Sequence, residues 1–410
     1  MSPAERPSLL RLTFLLALLG PVPAIAVRLG LVHVPLVAET TLYGVAILGA
    51  AFLLSWAAEV AQLDISQTLA ISVLALIAVL PEYAVDLFLA FRAGQGDEQS
   101  RHFAIANMTG ANRLLIGIGW TAVVLIFAWK SRGTGRRELA LRPEQRTDVG
   151  FLLVATLWAF SIPIRGEVGL LDLVILGGLF IAYIVRAARE EVEEPELIGA
   201  AAAIGALPRR TRRVITVALF LFAAAAILLV AEEFAHGLIE IGENFGIDPF
   251  LLIQWVAPLA SEAPEMIIAI LFTVRLKAQA GMGTLISSKV NQWTLLVGTL
   301  GLVFALGAGE IAALHLDFEQ KEEVFLTAAQ SLFAVAVIAN LTISVREALL
   351  MLVLFLGQFL LPYSAVRIGF GIAYIVFAVG VFAGSREARQ GLLSAFRHVF
   401  EPIRRPKRVP

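Results

Sequence analysis

The sequence predicts an all-α integral membrane protein of about twelve transmembrane helices, organised as two inverted-topology repeats. Three observations predict it: long apolar runs, basic residues gathered in alternate connections, and a proline–acid pattern that occurs twice. The 410 residues are 59% hydrophobic and 16% charged, with a mean hydropathy of +0.83. Soluble domains sit nearer half apolar and a quarter charged, so this composition belongs to a chain dissolved in lipid. The absence of cysteine excludes disulfides, thiolate metal sites and thiol redox chemistry. Basic residues lie in short connections between apolar runs rather than on a folded basic surface, which argues against a nucleic-acid partner.

A helix crosses the hydrocarbon core with roughly 20 apolar residues. Segments near 9–28, 41–62, 67–91, 103–129, 149–163, 166–187, 214–237, 249–275, 282–307, 324–345, 347–362 and 366–384 reach or approach that length. The first also reads as a signal peptide, because Arg6 and Arg11 stand ahead of its apolar run and the small-residue Ala24-Ile25-Ala26 lies near its end. Either reading sends the next connection outward. Lys130, Arg132, Arg136, Arg137, Arg142 and Arg146 crowd one connection, and Arg209, Arg210, Arg212 and Arg213 another. The tail carries Arg386, Arg389, Arg397, Arg404, Arg405, Lys407 and Arg408. With twelve crossings all three clusters share the side of the N-terminus, which the positive-inside rule makes cytoplasmic in a plasma (cell inner) membrane. Loop 308–323, with Glu310, Asp317, Glu319, Glu322 and Glu323, is then expected outside. Glu190–Glu196, of whose seven residues six are glutamate or proline, reads as a linker between halves.

The halves resemble one another. In the first, Trp56-Ala-Ala-Glu59-Val-Ala precedes an apolar run ending Leu80-Pro81-Glu82. In the second, Val230-Ala-Glu-Glu233-Phe-Ala precedes a run ending Ala263-Pro264-Glu265. A second helix rich in polar and small residues follows each, containing Asn107-Met-Thr-Gly110-Ala-Asn112-Arg113 and Gly283-Thr284-Leu-Ile-Ser287-Ser288-Lys289-Val-Asn291-Gln292. The assigned topology runs 67–91 outward and 249–275 inward, so the repeats are inverted, an architecture that places a substrate site near the bilayer midplane. Each proline removes a backbone donor and frees a carbonyl one turn earlier, which survives in lipid only beside protein, water or an ion.

An ionised carboxylate at membrane depth costs ~3 kcal/mol or more, so Glu82 and Glu265, at matching repeat positions, demand a purpose. Asp86 follows Glu82 by four residues and Glu262 precedes Glu265 by three, so each pair shares a helix face. Hard cations take oxygen ligands from carboxylates, amides, hydroxyls and freed carbonyls. Thr284, Ser288 and Gln292 recur every four residues as a polar stripe, and Asn107 begins the matching stripe. Arg113 and Lys289 bring two bases into the same helices; a buried base needs an acid, and Asp86 and Glu262 are the expected partners. Alternatively these bases are fixed internal cations that modulate the site. Glu59, Glu232 and Glu233 sit near helix ends, where snorkelling explains them.

The paired Pro-Glu helices, each followed by a polar-small helix, resemble the two α-repeats of the cation/calcium exchanger (sodium/calcium exchanger) superfamily, whose pattern is Ser/Thr-Leu-Pro-Glu and then Gly-Asn-x-x-Gly-Ser-x-x-x-Asn. The resemblance implies the exchanger fold, alternating access, and ion binding by the two Pro-Glu glutamates, here Glu82 and Glu265. Gly283, Thr284, Ser288 and Gln292 fall on the family's Gly, first Asn, Ser and last Asn. With a longer loop, Asn107, Gly110, Ala111 and Leu115 take the first Asn, second Gly, Ser and last Asn of the other repeat. The chain departs from the pattern at Val79, where Ser or Thr is usual, at Glu262, which replaces a Ser, and at Leu115, which supplies no amide.

The domain reading is an extra N-terminal helix or signal peptide over 1–40, exchanger repeats over 41–187 and 214–362, a cytoplasmic linker over 188–213, and an extra helix with a basic cytoplasmic tail over 363–410. The expected function is secondary antiport of Ca2+ or another cation against Na+ or H+, with no cofactor beyond the transported ions and with the lipid bilayer as partner. A monovalent sodium/proton-type exchanger on the same fold is the alternative, and a non-transporting membrane scaffold a second. Ligand chemistry favours a divalent ion, whereas the two bases favour a monovalent one. An intramembrane enzyme would need a nucleophile with its base, a di-aspartate or a metal cluster, and the sequence offers none of these sets.

Overall fold

The computed structural model describes residues 14–64, 80–134, 137–188, 197, 199–361 and 363–400. Arg6, Arg11, Arg136, residues 67–79 with Val79, the linker Glu190–Glu196 and the bases from Arg404 to Arg408 lie outside the described residues.

Helices dominate. In chain order they are α1 (Phe14–Arg28), α2 (Leu36–Ala61), α3 (Leu80–Gly94), α4 (Glu98–Lys130), α5 (Gln145–Arg165), α6 (Leu170–Ala187), α7 (Gly199–Gly205), α8 (Arg209–Phe245), α9 (Pro249–Val274), α10 (Ala278–Ala308), α11 (Phe318–Ile338), α12 (Val345–Leu360), α13 (Ser364–Gly384) and α14 (Arg386–Phe400). A helix accompanies each of the twelve expected spans. By length and composition, 8 of the described helices suffice to cross a membrane. Of the others, α1 and α3 are described over 15 residues each and α12 is 16 long. The N-terminal turns of α11 carry Glu319, Lys321, Glu322 and Glu323, so its apolar stretch is short.

Packing divides the chain differently from the repeats. One unit comprises residues 1–88 and 191–264, the other 89–190 and 265–410, so each draws on both halves of the sequence. The boundaries fall inside α3 and α9, and both Pro-Glu helices therefore run from one unit into the other.

In the first unit the core is built from small and branched apolar residues. Ala50, Leu53, Leu54, Ala57 and Val60 of α2 meet Leu219, Ala223, Ala226 and Ile227 of α8. Lipid supplies no hydrophobic drive between helices, so close backbone approach does the work. At Gly237 a Cβ would come within 2.1 Å of the Thr40 hydroxyl oxygen. The 37 residues of α8 reach well past any hydrocarbon core at ~1.5 Å per residue. Its basic N-terminus is gathered by Asp64, which accepts from Arg212 Nε at 2.7 Å, Arg212 Nη2 at 3.0 Å and Arg213 Nε at 3.0 Å. Those arginines, Arg212 foremost, hold the Asp64 carboxyl well below the usual carboxylate range.

In the second unit α11 lies at the centre, packed on α13, α5 and α4. Asp317 and Ser344 begin α11 and α12 with capping boxes closed by Gln320 and Glu347. Two short antiparallel ribbons tie loops together: β1 (Glu138–Ala140) pairs with β4 (Thr342–Ser344), and β2 (Glu167–Val168) with β3 (Leu314–His315). α3 and α10 cross at glycines, where a Cβ on Gly94 would lie 2.1 Å from the Phe304 carbonyl oxygen.

Two expectations change. Glu319, Glu322 and Glu323 do not belong to an external loop: the capping box at Asp317 starts α11 early enough to carry Glu322 and Glu323 into the interior. The tail is not simply a basic extension, because α14 packs on α5, with Ala388 and Ala395 buried and Arg146 Nη1 donating to Ser394 Oγ at 2.9 Å.

Candidate ion-binding site

Glu82 and Glu262 face each other within the first unit, each offering a carboxylate oxygen within 4.8 Å of the other, and both are buried. Glu265 continues the same face of α9 one turn on, its oxygen within 4.8 Å of that of Glu262, and it is 7% exposed. Carboxylates brought this close at membrane depth repel one another and are costly to bury, so a neighbouring base, a bound cation or protons must offset their charge. α9 is shaped for such a role by Pro258 and Pro264 inside the helix. They leave the carbonyls of Gln254 and Ala260 without their helical donors, and Ser261 Oγ turns back to the Pro258 carbonyl at 3.2 Å.

The other expected site residues are distributed as follows. Asp86 is buried one turn after Glu82 on α3. Asn107 is buried on α4. On α10, Ser288 and Gln292 are buried and joined, with Gln292 Nε2 donating to Ser288 Oγ at 3.4 Å. Thr284 is exposed, and its hydroxyl donates to the Ala280 carbonyl at 3.2 Å.

The two bases have partners the sequence did not suggest. Arg113 forms an ion pair with Glu323 of α11 and donates from Nη1 to Gln358 Oε1 of α12 at 3.2 Å. Glu323 also accepts from Arg367 Nε at 2.9 Å. Asp86 and Glu262 are the sequence-based expectations for Arg113; the early start of α11 brings in Glu323, which the sequence did not suggest. Lys289 donates from Nζ to Asn112 Oδ1 at 2.6 Å and stands 4.2 Å from the centre of the Trp293 ring. This bond joins the two polar-small helices, α4 and α10.

Both of these helices change winding at one place. A π-helical segment opens at Leu115 in α4 (Leu115–Trp120) and at Gln292 in α10 (Gln292–Leu296). These are the two positions that the resemblance aligns with the family's last Asn, so the repeats agree in backbone even where the side chains differ. π segments concentrate at functional sites because they redirect side chains and leave carbonyls for other partners. Gln330 Nε2 donates to the carbonyl of Arg113 at 3.3 Å, just before the first such segment.

Sequence reasoning passed over Gln254, which is buried on α9 two turns before Glu262. An amide eight residues ahead of an intramembrane acid was the signal. It also passed over Asp148, buried at the start of α5, which accepts from Tyr183 Oη at 2.7 Å and lies 3.5 Å from Ser287 Oγ.

Comparison with known proteins bears directly on this arrangement. The chain is similar to the H+/Ca2+ exchanger CAX, whose crystal structure superposes with a TM-score of 0.90 at 42% identity, covering 95% of this chain and 98% of that one. The Ca2+/H+ antiporter protein YfkE shares the fold at 16% identity and a TM-score of 0.59, covering 89% and 99%. The sodium-calcium exchanger NCX_Mj shares it at 16% identity and a TM-score of 0.53, covering 80% and 98%. Comparison with curated proteins returns no match. The family described as sodium/calcium exchanger protein matches residues 37–188 and 215–363. With the Pro-Glu helices, the paired π segments and that match in agreement, the chain belongs to the sodium/calcium exchanger protein family.

Proposed function

We propose that the chain is a secondary cation antiporter that moves Ca2+ against H+ and that Glu82, Glu262 and Glu265 hold the ion. The observation that carries the reading is 42% identity over 95% of the chain to a H+/Ca2+ exchanger. The ligand chemistry supports it. Ca2+ takes roughly six to eight oxygens in flexible geometry, and carboxylates close enough to repel can be relieved by one divalent ion or by protons. The two therefore compete for the same oxygens, which is what coupled exchange requires. Asp86, Asn107, Thr284, Ser288 and Gln292 are the further oxygen donors in this reading.

H+ is preferred to Na+ as the driving ion on the chain's own departures from its family pattern. Leu115 removes a neutral oxygen ligand, while Glu262 puts a titratable one where a Ser would be. A sodium ion needs a shell of oxygens; a proton needs one carboxylate. The host is the cell inner membrane, with both termini on the cytoplasmic side.

The test is Ca2+ uptake into proteoliposomes with pH and Na+ gradients imposed separately. Uptake is expected to follow the pH gradient and to stop when an ionophore collapses it. Uptake that follows the Na+ gradient at clamped pH would assign the chain to sodium-driven exchange instead.

A further inference from the structure

A second polar constellation lies entirely within the second unit and shares no residue with the carboxylates. A cavity of about 700 Å3 opens where the C-terminal end of α4 meets the β1–β4 ribbon and the start of α12. Among the described residues Arg132, Arg137 and Arg346 line it with Glu138 as the one acid, an excess of two positive charges. Its lower wall is apolar, formed by Leu125 and Ala128 of α4. Between the two zones stands Trp129, 54% exposed.

The parts are held in place by backbone and ring contacts. The amide of Val345 donates to the Arg137 carbonyl at 3.1 Å, continuing the ribbon in which Glu138 faces Ser344. The Arg132 guanidinium lies 5.9 Å, and the Lys130 ammonium 5.3 Å, from the centre of the Trp129 ring, within the range of cation–π attraction. The N-terminal turn of α12 also contributes to the lining, and its partial positive charge adds to that of the arginines.

We propose that this cavity binds an anionic phospholipid of the surrounding bilayer, its phosphate held by Arg132, Arg137 and Arg346. The order of the lining selects this occupant. Guanidinium groups bond phosphate oxygens in pairs. A tryptophan at the end of a membrane helix sits at headgroup level. Below it, Leu125 and Ala128 offer the acyl chains a surface that a free anion would not use. The loop-charge reading puts this end of α4 on the cytoplasmic side, where anionic lipid attracts juxtamembrane bases. The site is distinct from the carboxylates and does not depend on which ion is transported.

Native mass spectrometry of the full chain tests the assignment, with phosphatidylglycerol, phosphatidylcholine and inorganic phosphate titrated separately. One saturable phosphatidylglycerol is expected, without an equal site for phosphatidylcholine. Affinity should fall roughly five-fold for each arginine removed, and on the order of a hundred-fold in R132Q/R137Q/R346Q. A variant with three exposed bases neutralised elsewhere, R210Q/R386Q/R397Q, should bind within about two-fold of the parent. Equal loss in that charge-matched variant would make the effect one of net charge and overturn the site. Competition by inorganic phosphate at the lipid's own concentration would overturn the lipid assignment in favour of a free anion. Leu125→Trp keeps every charge and fills the apolar wall, so it reads the same question should the arginine variant misfold. Unchanged phosphatidylglycerol binding in that variant would remove the acyl-chain half of the proposal.

Discussion

Replacing Glu323 by Gln should destabilise the protein far more than replacing Glu319, although both carboxylates bind the same arginine. Glu323 is 1% exposed and serves two cations: it pairs with Arg113, itself 2% exposed, and takes Arg367 Nε at 2.9 Å. Glu319 is 55% exposed and takes Arg367 Nη1 at 3.1 Å. The amide in Glu323→Gln keeps the shape and one acceptor but leaves two buried guanidinium groups with one fewer counter-charge. Breaking a buried pair from one side costs about 3–5 kcal/mol, because the remaining charge stays desolvated; an exposed pair contributes about 0–1 kcal/mol. In a chain of this size the buried change corresponds to a melting shift on the order of 5 °C, against about 1 °C for Glu319→Gln. Thermal unfolding of the detergent-solubilised variants, followed by the monodisperse fraction, reads the difference. Removing the opposing charge as well, in Arg113→Met with Glu323→Gln, should recover at least about half of the loss. Equal shifts for Glu323→Gln and Glu319→Gln, or strictly additive losses in the double variant, would refute the reasoning.

Four further outcomes are expected. Glu82→Gln and Glu265→Gln should each abolish Ca2+ exchange in proteoliposomes while keeping a normal elution profile, since the amide keeps volume but loses the charge that offsets ion dehydration. Near-normal flux in either would remove that glutamate from the mechanism. Asp64→Asn should lower the melting temperature at neutral pH: because the folded carboxyl titrates below its unfolded value of about 4, its contribution is present above that value and disappears as pH falls through the lowered one. A gap that instead widened on acidification would contradict the clamp by Arg212 and Arg213. Lys289→Asn should alter ion preference or charge moved per cycle, measured as flux with membrane current, if the ammonium acts as a fixed cation rather than only as a tie to Asn112. Cysteines at Gly133 and Gln390, placed in a chain that has none, should label from the same membrane face, and labelling from opposite faces would break the twelve-crossing topology.

The membrane class, the helices and the paired Pro-Glu elements were legible because each rests on a local pattern. Apolar length fixes a span, and a proline beside an acid is conspicuous in an apolar run. Partner choice was less legible. Arg113 finds Glu323 some two hundred residues away because a capping box at Asp317 starts α11 one turn before the apolar stretch does. Hydropathy alone assigned those turns to a loop, since Glu319, Glu322 and Glu323 outweigh their neighbours there. Gln254 was missed for the opposite reason: a single amide barely lowers the apolarity of its window, and only its depth on α9 reveals it. The tail helix was hidden by its bases, although its small residues Ala388 and Ala395 recur at seven-residue spacing and form the face that packs.

The separation between sequence repeats and packing units bears on how exchange is coupled. A repeat is a unit of descent and of backbone pattern, which is why π segments open at Leu115 and Gln292 alike. A packing unit is a body that keeps its own internal contacts. Here the two divisions cross, and they cross inside the helices that carry Glu82 and Glu265. Pro264, inside α9, weakens the continuous ladder of hydrogen bonds there and leaves a carbonyl whose partner can change. Glu265 follows Pro264 directly and Glu262 precedes it by two residues, so both sit on the part of α9 that its backbone ladder alone holds least firmly. In the proposed function, an ion bound there would add contacts, and its exchange for protons would replace them with others of different reach. Ligand identity and the local conformation of the two Pro-Glu helices are therefore linked variables, and a substitution that stiffens α9 without touching a carboxylate tests the link. Pro264→Ala restores one donor to the helix; it should slow Ca2+ exchange while leaving equilibrium Ca2+ affinity within a few-fold. Equal losses in rate and affinity would mean that the proline shapes the ligand set itself, and unchanged values in both would sever helix flexibility from transport.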